Sequence, residues 1–105
     1  MNIVDKNASC DNPMLRAFIA RVLTRCGIIP KQVVIDDMDL SRIYLYIDDE
    51  EYNIRTWNIY ETKKCVVVEW SLIVFDNDNH EYIDTIGYGT SRLRIAHYFP
   101  DKTPN

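Results

Sequence analysis

Leu15, Phe18, Ile19, Val22, Leu23 and Cys26 recur every three or four residues, which places them on one face of a helix. Asp11-Asn12-Pro13 marks where that helix starts. An Asp or Asn side chain caps the free amides of the first turn, and proline fits there because its missing N–H would have no partner. Gly27 suits the left-handed residue that ends a helix, and Pro30 blocks a restart. The spacing therefore predicts a helix over 13–26, with Arg16, Arg21 and Arg25 on its polar side.

Beyond Pro30 the period changes from about 3.6 to 2, the period of a strand. Gln32–Ile35 reads as a short extended piece, and Arg42–Ile47 alternates with β-branched and aromatic residues. Tyr52–Tyr60, Cys65–Phe75 and Glu81–Ile86 read as further strands, the last ending at Gly87-Tyr88-Gly89. The turns between them are Asp48–Glu51, Glu61–Lys64 and Asp76–Asn79, all built of residues that bond their own backbone or prefer water. Ser91–Phe99 fits either a fifth strand or a short helix, and Pro100 onward is a polar tail. Cys65–Phe75 is the longest strand and the expected centre of the sheet. Its residues Val66, Val68, Trp70, Leu72 and Val74 share one face, the natural seat for the helix. The expected fold is α+β: an N-terminal amphipathic helix packed on a four- to five-stranded antiparallel meander, as one domain over 1–105.

Composition narrows the function classes without naming one. The 105 residues are 47% hydrophobic and 27% charged, enough for one packed core. No apolar run approaches the ~20 residues that span a bilayer, so no membrane contact is expected. Residues 1–11 lack the basic-then-apolar pattern of a secretory leader. Cys10, Cys26 and Cys65 are odd in number and widely spaced, a poor disulfide or metal framework. These points favour a reducing cytoplasmic location, the host cytoplasm if the chain is phage-encoded.

The net charge of -4 hides an asymmetry. Residues 36–84 hold thirteen acids and four bases, while the remainder holds three acids and eight bases. An acidic middle between two basic ends bears on partners and encounter rates, not on fold.

Catalytic and metal-binding patterns are weak. Asp76-Asn77-Asp78-Asn79 alternates oxygens, but an EF-hand loop needs Gly at its sixth position and Glu at its twelfth, where Glu81 and Gly87 stand. Asp36, Asp37 and Asp39 read as solvated carboxylates, and His80 and His97 form no spaced ligand pair. With three glycines in the chain there is no phosphate loop. No enzyme activity, cofactor or metal is expected.

The segments Val67-Val68-Glu69-Trp70, Asp76–Asn79, His80-Glu81-Tyr82-Ile83-Asp84 and Gly87-Tyr88-Gly89-Thr90-Ser91 resemble the β-hairpin of Rad52-like single-strand annealing proteins. That resemblance implies a hairpin with a polar turn and adds a nucleic-acid-binding module as an alternative function; the residues expected to serve it, Arg16, Arg21, Arg25, Arg92 and Arg94, come from the basic side of the helix and the C-terminal segment and not from the resemblance. In size, charge and expected architecture the chain is also similar to toxin-neutralising immunity proteins and to phage inhibitors of bacterial defence, anti-CRISPR proteins among them. The leading expectation is a non-enzymatic inhibitor that uses an acidic sheet and turn surface to block a basic site on a toxin or defence nuclease. The expected contact residues are Asp48, Asp49, Glu50, Glu51, Asp76 and Asp78, with Tyr44, Tyr46 and Trp57 as aromatic anchors. The mixed face of the long strand also suits a second copy of the chain, and a small structural or oligomerisation domain is a further alternative.

Overall fold

A computed structural model describes residues 2–6, 12–39 and 41–98. Cys10, Asp11, Phe99 and the polar tail from Pro100 lie outside the described residues. The element order is β1 (Asn2–Asp5), α1 (Pro13–Arg25), β2 (Gln32–Asp39), β3 (Arg42–Ile47), β4 (Glu50–Glu61), β5 (Cys65–Phe75), β6 (Tyr82–Arg94) and α2 (Ile95–Tyr98).

The six strands form one mixed sheet in the order β1-β2-β3-β4-β5-β6. β1 runs parallel to β2, and all other neighbours are antiparallel. This corrects the expected helix on a four- to five-stranded antiparallel meander. The helix is not the first element: it connects β1 to β2, as a parallel pair requires. A four-residue strand is too short to carry a readable period, so β1 emerges only from its pairing with β2. The Lys6 ammonium donates to Asp36 at 2.9 Å across that pair, and this bond raises the Lys6 pKa above its ordinary value.

Three further expectations are corrected. β5 is not the centre of the sheet, since β3 and β4 lie inside it. β6 does not end at Gly87 but runs on to Arg94 and then turns into α2, so Ser91–Phe99 is partly strand and partly helix. β2 is eight residues long rather than four. β4 and β6 also carry irregularities the alternation conceals: an extra residue at Trp57, and two more at Ile83 and Ile86. Each bulge swaps the faces of every residue beyond it.

The helix forms where its spacing predicts. Asn12 is the cap, its side chain accepting from the Leu15 amide at 2.7 Å, and Pro13 opens the first turn. At the other end Gly27 (φ 72°) and Ile28 donate to the Thr24 and Leu23 carbonyls, closing the last turn. Leu15, Phe18, Ile19, Val22 and Leu23 pack on Val33, Ile35, Ile43, Leu45, Ile54, Val68, Trp70, Leu72 and Leu93. Two arginines of α1 anchor it at both sheet edges. Arg16 donates to the Ile3 carbonyl at 3.0 Å, and Arg21 to the Arg92 carbonyl at 2.7 Å.

Gly87 and Gly89 pair with Leu72 and Trp70, so both lie on the face that carries α1. A Cβ on Gly87 would lie 2.7 Å from the Cys26 sulfur. The end of the helix sits that close to the sheet because no side chain intervenes.

Candidate partner-binding surface

The turn Asp48-Asp49 adopts positive φ at both residues, 48° and 68°. That is the geometry of a two-residue hairpin turn whose twist matches the strands, and Asp tolerates it better than most residues. The Asp48 carboxylate is engaged locally, accepting from the Lys31 amide at 3.0 Å and the Gln32 amide at 2.9 Å. It thereby ties the β3–β4 turn to the start of β2. Replacing Asp48 by Ala is expected to lose these bonds and cost about 1–2 kcal/mol, measured by urea unfolding. Asp48→Asn should retain more of that stability than Asp48→Ala.

The turn after β5 folds on itself. Asp76 accepts from the Asp78 amide at 2.9 Å, and its carbonyl accepts from the His80 amide at 2.7 Å. In a meander the β3–β4 and β5–β6 turns fall at the same end of the sheet. Here they are also fastened together. The Asn77 side chain accepts from the Glu51 amide at 2.8 Å and donates to the Asp49 carbonyl at 2.7 Å. His80 Nδ1 lies 2.9 Å from the Glu51 carboxylate. Asn77 and His80 are thus the residues that join the two acidic turns. Sequence reasoning missed their role, because a contact across 26 residues leaves no local pattern.

The six expected acidic contact residues are therefore brought together at one end. They are not equivalent. Asp48, Glu51 and Asp76 spend oxygens on the turns themselves, and Glu50 accepts from the Tyr52 hydroxyl at 3.3 Å. Asp49, Glu50 and Asp78 are exposed, as are Glu81 and Asp84 nearby. Among the described residues, no three His, Cys, Asp or Glu side chains gather into a group that could hold a metal ion.

The three expected aromatic anchors lie elsewhere. Tyr44 and Tyr46 pair with Asn53 and Glu51, on the sheet face opposite α1, and both are half-buried. Trp57 is the bulge residue of β4 and is 59% exposed. It lines a cleft of about 400 Å³ with Ser41, Arg55, Thr56 and Ile59. Tyr46 adjoins the acidic end through Glu51, whereas Trp57 stands towards the opposite end of β4.

The open face has a distinct character. Its floor is buried Val67, Ser71, Ile73 and Asn53, and the Asn53 side-chain oxygen Oδ1 has no hydrogen-bond partner. Arg55, Arg92 and Arg94 stand around that floor with Trp57, Tyr60 and Tyr88. Glu69, in the same row as Asn58, accepts from its side chain at 3.0 Å. Most carboxylates thus sit at turns and strand ends, while the middle of the open face carries arginine and aromatic groups. At the far end of β2, Asp39 accepts from the Ser41 amide at 2.9 Å, which holds its carboxyl below the ordinary value.

No helix among the described residues is long and apolar enough to cross a membrane. Comparison with protein families, with curated proteins and with solved structures finds no match to this chain.

Proposed function

We propose that this protein is a non-enzymatic binding module whose acidic end covers a basic surface on a partner protein, such as the nucleic-acid groove of a toxin or a defence nuclease. One observation carries the reading: Asn77 fastens two acidic turns into a single end from which Asp49, Glu50, Asp78 and Glu81 project into solvent. Fixed carboxylates lose little side-chain and loop freedom on binding, and their summed field steers a cationic partner into place.

The test is the triple reversal Asp49→Lys, Glu50→Lys, Asp78→Lys, used beside the wild type to capture binders from host lysate. The wild type is expected to retain a basic protein that the variant loses. Association with that protein should slow about tenfold or more, and its salt dependence should flatten. Equal capture by both forms, or unchanged association kinetics, would refute the acidic end as the site. The substituted side chains are exposed, and lysine at the φ of 68° of Asp49 costs about 1–2 kcal/mol, so a thermal melt should show the variant folded at a modestly lower Tm.

A second reading has its own observation. Arg55, Arg92 and Arg94 share the open face with Trp57, Tyr60 and Tyr88, a combination on which single-stranded nucleic acid stacks and pairs its phosphates. Two of the arginines named for this alternative, Arg16 and Arg21, donate instead to the Ile3 and Arg92 carbonyls. Anisotropy with a labelled oligonucleotide at low salt decides it: no binding ends this reading.

A further inference from the structure

Among the described residues, β6 closes one side of the sheet with no strand beyond it, and at thirteen residues it is the longest strand. Four large side chains along it are exposed: Tyr82, Ile83, Ile86 and Tyr88. A long unpaired edge with apolar side chains is a template for another strand. The main-chain groups available there can be located. The Arg92 carbonyl points away from β5, because it accepts from Arg21 on the helix. Residues two apart on a strand point their main-chain groups the same way, so those of Thr90 and Tyr88 also face outward. Bulges at Ile83 and Ile86 twist the first half of β6, and Arg21 occupies the Arg92 carbonyl. The stretch open to pairing therefore centres on Tyr88 and Thr90.

The charges along this edge are antisymmetric about the same point. Glu81 and Asp84 precede Tyr88, and Arg92 and Arg94 follow it. Asp84 pairs with Val74, on the face that carries α1. On that face, beside the second half of β6, lies a groove of about 500 Å³ lined by Arg21, Arg25, Thr24 and Ser91, with no carboxylate in its wall.

We propose that β6 is a homodimer edge: two copies pair their β6 strands antiparallel through the Tyr88–Thr90 stretch, forming one continuous twelve-stranded sheet. The antiparallel arrangement is the one the charges select. It lays the acidic half of each strand against the basic half of the other and brings Asp84 of one copy to the arginine groove of its mate, twice over by symmetry. Parallel pairing in register would set like charges together. Association also covers Ile83, Ile86 and Tyr88. This inference does not rest on the acidic-end reading: Asp49, Glu50 and Asp78 lie at the β3–β4 and β5–β6 connections outside the paired edge, and Glu81 alone is common to both.

Sedimentation velocity on the full chain tests it, with two single variants. Thr90→Pro removes an outward amide that the β5–β6 ladder does not use, which an edge strand tolerates. Asp84→Lys places like charge in the arginine groove and leaves the main chain intact. The wild type is expected to be a dimer at micromolar concentration. Thr90→Pro should be monomeric, and Asp84→Lys should weaken dimerisation about tenfold or more. Trp57→Ala, on the open face, should leave the dimer unchanged. A wild type that stays monomeric, or a dimer that withstands either β6 variant, overturns the proposal. So does a dimer lost on Trp57→Ala alone, which would move the interface to the open face.

Discussion

Trp70→Ala is expected to be among the most damaging single substitutions in this protein, costing about 3–5 kcal/mol. Trp70 is 1% exposed and is the largest of the fully buried side chains. Its ring lies in the layer between α1 and β6, and its indole N–H donates to the Ser91 hydroxyl at 3.0 Å. Truncation would empty the largest volume in the core and leave Ser91 without its donor. A domain of this length has a total stability of about 5–15 kcal/mol, so the loss is a large share of it. Tm should fall by roughly 15 °C or more. Trp70→Phe separates the two contributions: it keeps most of the ring but not the N–H, and should cost clearly less than alanine. Urea unfolding followed by far-UV circular dichroism measures both. A loss below about 1 kcal/mol for Trp70→Ala would show that the ring is not packed as described.

Gly87→Ala is expected to destabilise by about 1–3 kcal/mol, with a partner-specific rescue. The added Cβ would sit 2.7 Å from the Cys26 sulfur, but 3.8 Å from the Cys26 Cβ, an ordinary contact. The clash is therefore with one atom. Cys26→Ala removes that atom, so the double variant should be less destabilised than the sum of the two single effects, by more than the roughly 0.3–0.5 kcal/mol scatter of independent sites. Simple additivity would show that the strain lies in the β6 backbone instead. The same closeness affects the thiol. Burial raises the Cys26 pKa, partly countered by Arg25, so the group packed against Gly87 at neutral pH is the uncharged thiol.

These two residues illustrate what was legible along the chain and what was not. Trp70 was readable as core, because alternation from Val66 to Leu72 puts it on the face that meets the helix stripe. Gly87-Tyr88-Gly89 was not readable as the middle of a strand, because glycine usually weakens one. Its reason lies across space, in Cys26 and Trp70. β1 was missed for a related reason. Four residues cannot display a period, and their pairing with β2 spans thirty positions.

For the candidate surface the division is similar. The acidic turns were visible as runs of turn-forming residues, and the positive φ at Asp48 and Asp49 agrees with that composition. Their union through Asn77 was not visible, nor were the hydrogen bonds that engage Asp48, Glu50, Glu51 and Asp76. Trp57 shows the limit of the period itself. One extra residue in β4 shifts the register, so alternation read through it assigns faces wrongly on one side.

The sequence by itself determined the helix, its caps, the approximate extents of β3, β4 and β5, and the existence but not the length of β2 and β6. Each of these depends on side chains within a few residues of one another, where propensity and periodicity act. Only the tertiary structure decided the sheet order, the parallel first strand, the bulges and the unpaired edge of β6. It also decided which carboxylates face solvent and which arginines are bound to carbonyls. Those properties depend on pairings between distant segments, whose hydrogen bonds and burial are set when the chain closes on itself and leave no local pattern beforehand.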